Sequence, residues 1–148
     1  ALDQLVKYLV VQNISPGEYI PFLPHILDLT YVQNTGAAFS LFSEHTWLLT
    51  LISLVMSVLL LMALVRGFFR HPFGRISLAL LLAGAVGNLI DRAFQGYVVD
   101  MFHVLFMEFA VFNVADICVV VGGIAAAVYY VWGYERLEKG LHPQERRP

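Results

Sequence analysis

The sequence is poor in the residue types from which most sites are built. It has one cysteine, Cys118, which excludes an internal disulfide and any metal centre made of cysteines. Its histidines, among them His25, His71 and His142, are scattered and show no zinc-ligand spacing with a cysteine. Charged residues are 14% of the 148, against about a quarter in an ordinary soluble domain. No basic patch interleaved with aromatics is available for nucleic acid, and no glycine-rich loop for a phosphate. Nothing in this composition asks for a cofactor, and the net charge of -2 excludes little by itself.

What is plentiful is apolar. Hydrophobic residues make up 59% and the mean hydropathy is +0.71. A chain of this length is one domain by default, and here it is a membrane domain. Crossing a bilayer core of about 30 Å takes roughly 20 apolar helical residues. Residues 46–66 meet that requirement, with no charge before Arg66. Residues 76–94 form a second span that turns polar at Asn88, Asp91 and Arg92. Residues 113–134 form a third, apolar after Asp116, where Gly122, Gly123 and Ala125 to Ala127 permit close helix approach. Trp47, Trp132 and Tyr134 suit the interfaces.

Residues 1–13 read as the last turns of an apolar helix, too short to span and without the positive front of a signal peptide. The expectation is a remnant of a first transmembrane helix and four spans in the whole protein. Arg66, Arg70 and Arg75 lie between two spans; Arg136, Lys139, Arg146 and Arg147 fall in the tail 135–148. Both segments are therefore expected in the cytoplasm, with 14–45 and 95–112 on the outer side. Prolines 16, 21 and 24 exclude a long helix from 14–45. The partly alternating stretch Leu27–Gln33, a turn at Asn34-Thr35-Gly36 and a returning Ala37–Phe42 predict a small outer β layer, whereas 95–112 reads as an outer loop.

Ionisable residues at the ends of apolar helices are costly and hence candidates for function. Two segments are alike: Gly87-Asn88-Leu89-Ile90-Asp91-Arg92 and Phe112-Asn113-Val114-Ala115-Asp116 each set an Asn three residues before an Asp, on one helix face. For Asn113 and Asp116 alone, helix capping is the simpler explanation. For Asp91 beside Arg92, it is an ion pair closing a helix. Asp100, flanked by Val98, Val99, Met101 and Phe102, has no such ordinary explanation, and Asp116 follows it by 16 residues at the mouth of the next helix. Two carboxylates in one site cannot both ionise cheaply; one keeps a proton and the other can take one from water. That chemistry cleaves a peptide without a metal or a nucleophilic side chain. Ser40 with His45 or His103 lacks the glycine pattern of a serine nucleophile. Cys118, inside the last apolar run, reads as a packing residue.

Five blocks in order bring these residues to a known pattern. They are Asp3-Gln4-xx-Lys7, Asn34-Thr35-Gly36-Ala37-Ala38-Phe39-Ser40, Gly87 to Arg92, Gly96-Tyr97-Val98-Val99-Asp100, and Phe112 to Asp116. Together they make the chain resemble the lipoprotein signal peptidase (signal peptidase II) family. The resemblance implies an all-α transmembrane bundle of four helices, the first truncated here, with a small outer β layer, in the bacterial inner membrane with its site at the periplasmic face. It implies that Asp100 and Asp116 are a catalytic dyad. It also implies that Asp3, Lys7, Asn34, Gly36, Ala37, Asn88, Arg92 and Asn113 support the dyad or bind substrate. The implied substrate is a diacylglyceryl-modified prolipoprotein, cut just before its lipid-bearing cysteine while membrane lipid holds the acyl chains. The implied inhibitor is a globomycin-like cyclic peptide. The ten residues between Met101 and Phe112 leave room for only a small flap. Two rival readings are a proton-relaying transporter and a structural membrane subunit. The gathering of polar residues at one face speaks against the first, and the apolar setting of Asp100 against the second.

Overall fold

The structure, a computed structural model, describes residues 1–36 and 46–138. Its elements in chain order are helix α1 (Leu2–Asn13), strands β1 (Tyr19–Leu23) and β2 (Leu27–Asn34), and helices α2 (Thr46–Val65) and α3 (Pro72–Gln95). Strand β3 (Val98–Val104) and helix α4 (Val114–Val128) follow, and α4 runs on as a π-helix over Tyr129–Glu138. The chain is mostly helical with a small antiparallel sheet, and α2, α3 and 114–134 are each long and apolar enough to cross a membrane. The predicted return strand Ala37–Phe42 lies outside the described residues.

Helix α2 carries its apolar side chains outward: among its residues only Ser57 is buried. A face that exposes leucine, valine and methionine all round is soluble only in lipid. Two of its hydroxyls are satisfied within the helix, Thr50 donating to the Thr46 carbonyl at 2.9 Å and Ser57 to that of Ser53 at 2.7 Å. Helix α3 starts four residues earlier than the apolar run suggests, because Pro72 stands in its first turn behind His71, whose ring nitrogen caps the Phe73 N–H. It stops at Gly96, which takes the left-handed conformation at φ 77°. Helices α3 and α4 meet along a glycine seam. A Cβ on Gly122 would stand 2.8 Å from the Leu81 nitrogen and 2.9 Å from the Ser77 carbonyl, and one on Gly84 would collide with the Ala115 carbonyl. At the far end, Tyr129 is buried edge-on against Phe69 in a space that Gly74 leaves open.

The sheet order is β1-β2-β3. The stretch 95–112, read from sequence as a loop, thus supplies an edge strand. The reason is visible in its burial: Val98, Val99, Asp100 and Met101 are all buried, so the strand lacks the alternation that marks a half-exposed one. Val99 and Met101 point to α1, forming a core with Val10, Ile14 and Tyr31. Period two turns Val98 and Asp100 the other way. The β2–β3 ladder shifts register by one residue between Leu29 and Val32, which leaves Asn34 opposite Val98. Asn34 and Asp100 then lie on one face as diagonal neighbours.

Candidate active site

Asp100 is 2% exposed, and both its oxygens accept hydrogen bonds: Oδ2 from Asn34 Nδ2 at 2.9 Å and Oδ1 from Asn113 Nδ2 at 2.6 Å. Burial pushes its pKa up to about 6, and the neighbouring charge of Asp116 adds to the rise. The bonds from Asn34 and Asn113 and the charge of Lys7 hold it from rising further.

Asp116 is anchored by its own helix. Asn113 caps α4 by accepting the Asp116 N–H at 2.9 Å, and Asp116 Oδ2 accepts the Asn113 N–H at 3.1 Å. This is a capping box, so the capping role expected of the pair is present. It leaves Asp116 Oδ1 free to accept from Asn88 Nδ2 at 2.8 Å. The two asparagines then close a bridge, Asn113 Nδ2 donating to Asn88 Oδ1 at 3.1 Å as well as to Asp100. Capping and membership of the polar site are thus one arrangement.

Behind the bridge lies a buried charge cluster. Lys7 makes ion pairs with Asp3 at 3.0 Å and Asp91 at 2.9 Å, and donates to Asn88 Oδ1 at 2.9 Å. Asp3 reaches across to α4 and accepts the Ala115 N–H at 2.8 Å. A carboxylate there meets the positive end of the helix dipole. Adjacent helical residues point in different directions, so Asp91 does not pair with Arg92 as the local reading suggests. Arg92 turns instead to the Gly36 carbonyl at 3.2 Å and the Ser53 hydroxyl at 3.5 Å. Gly36 is itself held by its N–H bond to Asn34 Oδ1 at 2.9 Å.

Asp3, Lys7, Asn34, Gly36, Asn88, Arg92, Asp100, Asn113 and Asp116 thus gather at one end of α3 and α4, around a cavity of about 460 Å³. Asn34, Asn88, Arg92, Asp100 and Asp116 line its polar corner; Phe109, Phe112, Ile117 and Val120 line the rest. Ala37, Ser40 and His45 lie outside the described residues. From sequence alone Asp91 reads only as the neighbour of Arg92 and Gln4 carries no signal of its own; in the structure Asp91 pairs with Lys7 and accepts from Gln4 at 2.8 Å. The block Asp3-Gln4-xx-Lys7 is the sequence feature that carries these contacts. No group of three or more histidine, cysteine or acidic side chains among the described residues is arranged to hold a metal.

A model of signal peptidase (SPase) II matches residues 1–132. The chain belongs to the signal peptidase II family. A lipoprotein signal peptidase of Enterococcus faecalis is 42% identical over 94% of this chain and 86% of its own length. One of Streptococcus pyogenes is 42% identical over 86% of this chain and 84% of its own length. Two solved structures, each described as a bacterial membrane enzyme, superpose with TM-scores of 0.74 and 0.73. They are 28% and 30% identical, cover 99% and 88% of this chain, and are themselves covered to 87% and 86%. The family is one of aspartic peptidases, and the chain is such an enzyme, set in a membrane by its three apolar helices.

Proposed function

We propose that the chain removes the signal peptide from diacylglyceryl-modified prolipoproteins, cutting just before the lipid-bearing cysteine, with Asp100 and Asp116 as the catalytic pair. The observation that carries the reading is that these two carboxylates, joined by Asn88 and Asn113, meet at the wall of one largely apolar cavity. Asp100, whose carboxyl burial already favours in its neutral form, holds the shared proton and donates it to the scissile carbonyl oxygen. Asp116 takes a proton from the attacking water. A bound substrate removes more water from the pair and strengthens this division of labour. The pair titrates as a unit.

The apolar wall of Phe109, Phe112, Ile117 and Val120 suits a lipid-bearing helical substrate that enters sideways from the bilayer. A globomycin-like cyclic peptide would compete for the same cavity. By the positive-inside rule, the arginines between α2 and α3 and those after α4 face the cytoplasm of a bacterial inner membrane. The sheet and the aspartates then lie at the outer face, with the short helix α1 packed beside α3 and α4 as the fourth helix of the bundle. Cleavage of a purified diacylglyceryl-modified prolipoprotein tests the proposal. Asp100→Asn and Asp116→Asn should each lower kcat by about 10³-fold, within the range expected for losing a general acid or base. Near-normal cleavage by either variant, with the protein folded, would remove the dyad.

A further inference from the structure

The buried carboxylate that the dyad chemistry does not use is Asp91. It is 0% exposed and lies on α3 with its back to the cavity. Its Oδ1 accepts from Gln4 at 2.8 Å. Its Oδ2 accepts two bonds that lead in different directions. One comes from the Val99 N–H at 3.1 Å, the residue immediately before Asp100. The other is the 2.9 Å ion pair with Lys7. Lys7 has only donors, and its other contacts are Asp3 and Asn88 Oδ1. An amide side chain can in principle sit either way round. Here Lys7 and Asn113 Nδ2 together decide the matter: both donate to the Asn88 oxygen, which turns Asn88 Nδ2 onto Asp116.

We infer that Asp91 is a positioning residue for the reaction, fixing Asp100 through the Val99 amide and Asp116 through Lys7 and Asn88. The inference rests on the dyad proposed above. One oxygen thus adds a support to each aspartate, beside the Asn34 and Asn113 bonds of Asp100 and the capping box of Asp116, since both the strand that carries the first and the amide that contacts the second connect to it. Gln4 Nε2 is shared among Asp91 Oδ1, the Gly87 carbonyl and Asp3 Oδ2 and touches neither Val99 nor Asn88, so its bonds contribute to stability and leave both links from Asp91 Oδ2 in place.

The test uses the full chain in lipid nanodiscs, a diacylglyceryl-modified prolipoprotein as substrate, and thermal unfolding as the check on folding. Asp91→Asn removes one of the two carboxylates that hold Lys7. It should lower kcat at least tenfold while KM stays within about threefold. Asp91→Asn combined with Asn88→Ala should be no slower than the slower single variant by more than about threefold, because both break one chain of contacts. Gln4→Leu should lower the melting temperature and leave kcat within about threefold. If Asp91→Asn does not fold, Asp91→Glu keeps the charge but displaces the carboxylate by one methylene, and the same fall in kcat is expected of it. A folded Asp91 variant with normal kcat, multiplicative effects in the double variant, or a loss of kcat in Gln4→Leu equal to that in Asp91→Asn would overturn the role. Asp100→Asn and Asp116→Asn run alongside. If they are inactive while the Asp91 variants are normal, only the positioning role is lost; if they cleave normally, the dyad fails and takes it along.

Discussion

At Asp100 burial and chemistry pull against stability in a measurable way. Its folded pKa, about 6, lies above the ordinary carboxylate value, so the folded state binds more protons than the unfolded state between about pH 4 and 6. Stability therefore falls as pH rises through that window, and the cost of an ionised Asp100 is fully present above it. Asp100→Asn deletes this dependence. It also loses a hydrogen bond, but that loss does not vary with pH. The melting temperature of wild type relative to Asp100→Asn should thus decline between pH 4.5 and 7.5; a constant difference would contradict the burial argument. At Gly87 the conflict is steric. A Cβ there would meet Asp3 Oδ2 at 2.7 Å and Ala115 Cβ at 3.0 Å, so Gly87→Ala should destabilise by about 1–3 kcal/mol in thermal unfolding. The asparagines and aspartates of the site are legible as residue types in their blocks. Asp91 is not, because its partner Lys7 stands on another helix and the adjacent Arg92 offers a false one.

Among the elements, the apolar spans can be read directly, since length and lack of charge are sufficient to mark them. Strand β3 cannot. A strand buried on both faces shows no period of two, and its partner β2 is distant in sequence. The same distance conceals the one-residue register shift that puts Asn34 beside Asp100. The glycine seam of α3 and α4 is half legible: Gly122 falls within a run of small residues, while the need for Gly84 depends on the Ala115 carbonyl opposite. Gly84→Ala should force α4 outward at the turn that carries Asp116. The expected result is a loss of about 1–3 kcal/mol in stability together with slower prolipoprotein cleavage. A folded variant with normal stability and rate would show that the seam is looser than these contacts require.

For the molecule as a whole, the proposed orientation puts the β1–β2 hairpin outside and the α2–α3 turn inside. In a Cys118→Ala background, a cysteine at Phe22, which is exposed in β1, should react with a membrane-impermeant maleimide from the outer side of intact cells. A cysteine at Arg70 should react only in inverted vesicles. The opposite pattern would reverse the topology. The polar site also draws on α1, β2, α3, β3 and α4, and one of its bonds joins Asp3 to the amide of Ala115 across a sequence separation of 112 residues. A chain still leaving the ribosome therefore cannot close this polar cluster until α4 is in place. On the proposed dyad, prolipoprotein cleavage should thus appear only after that helix has inserted.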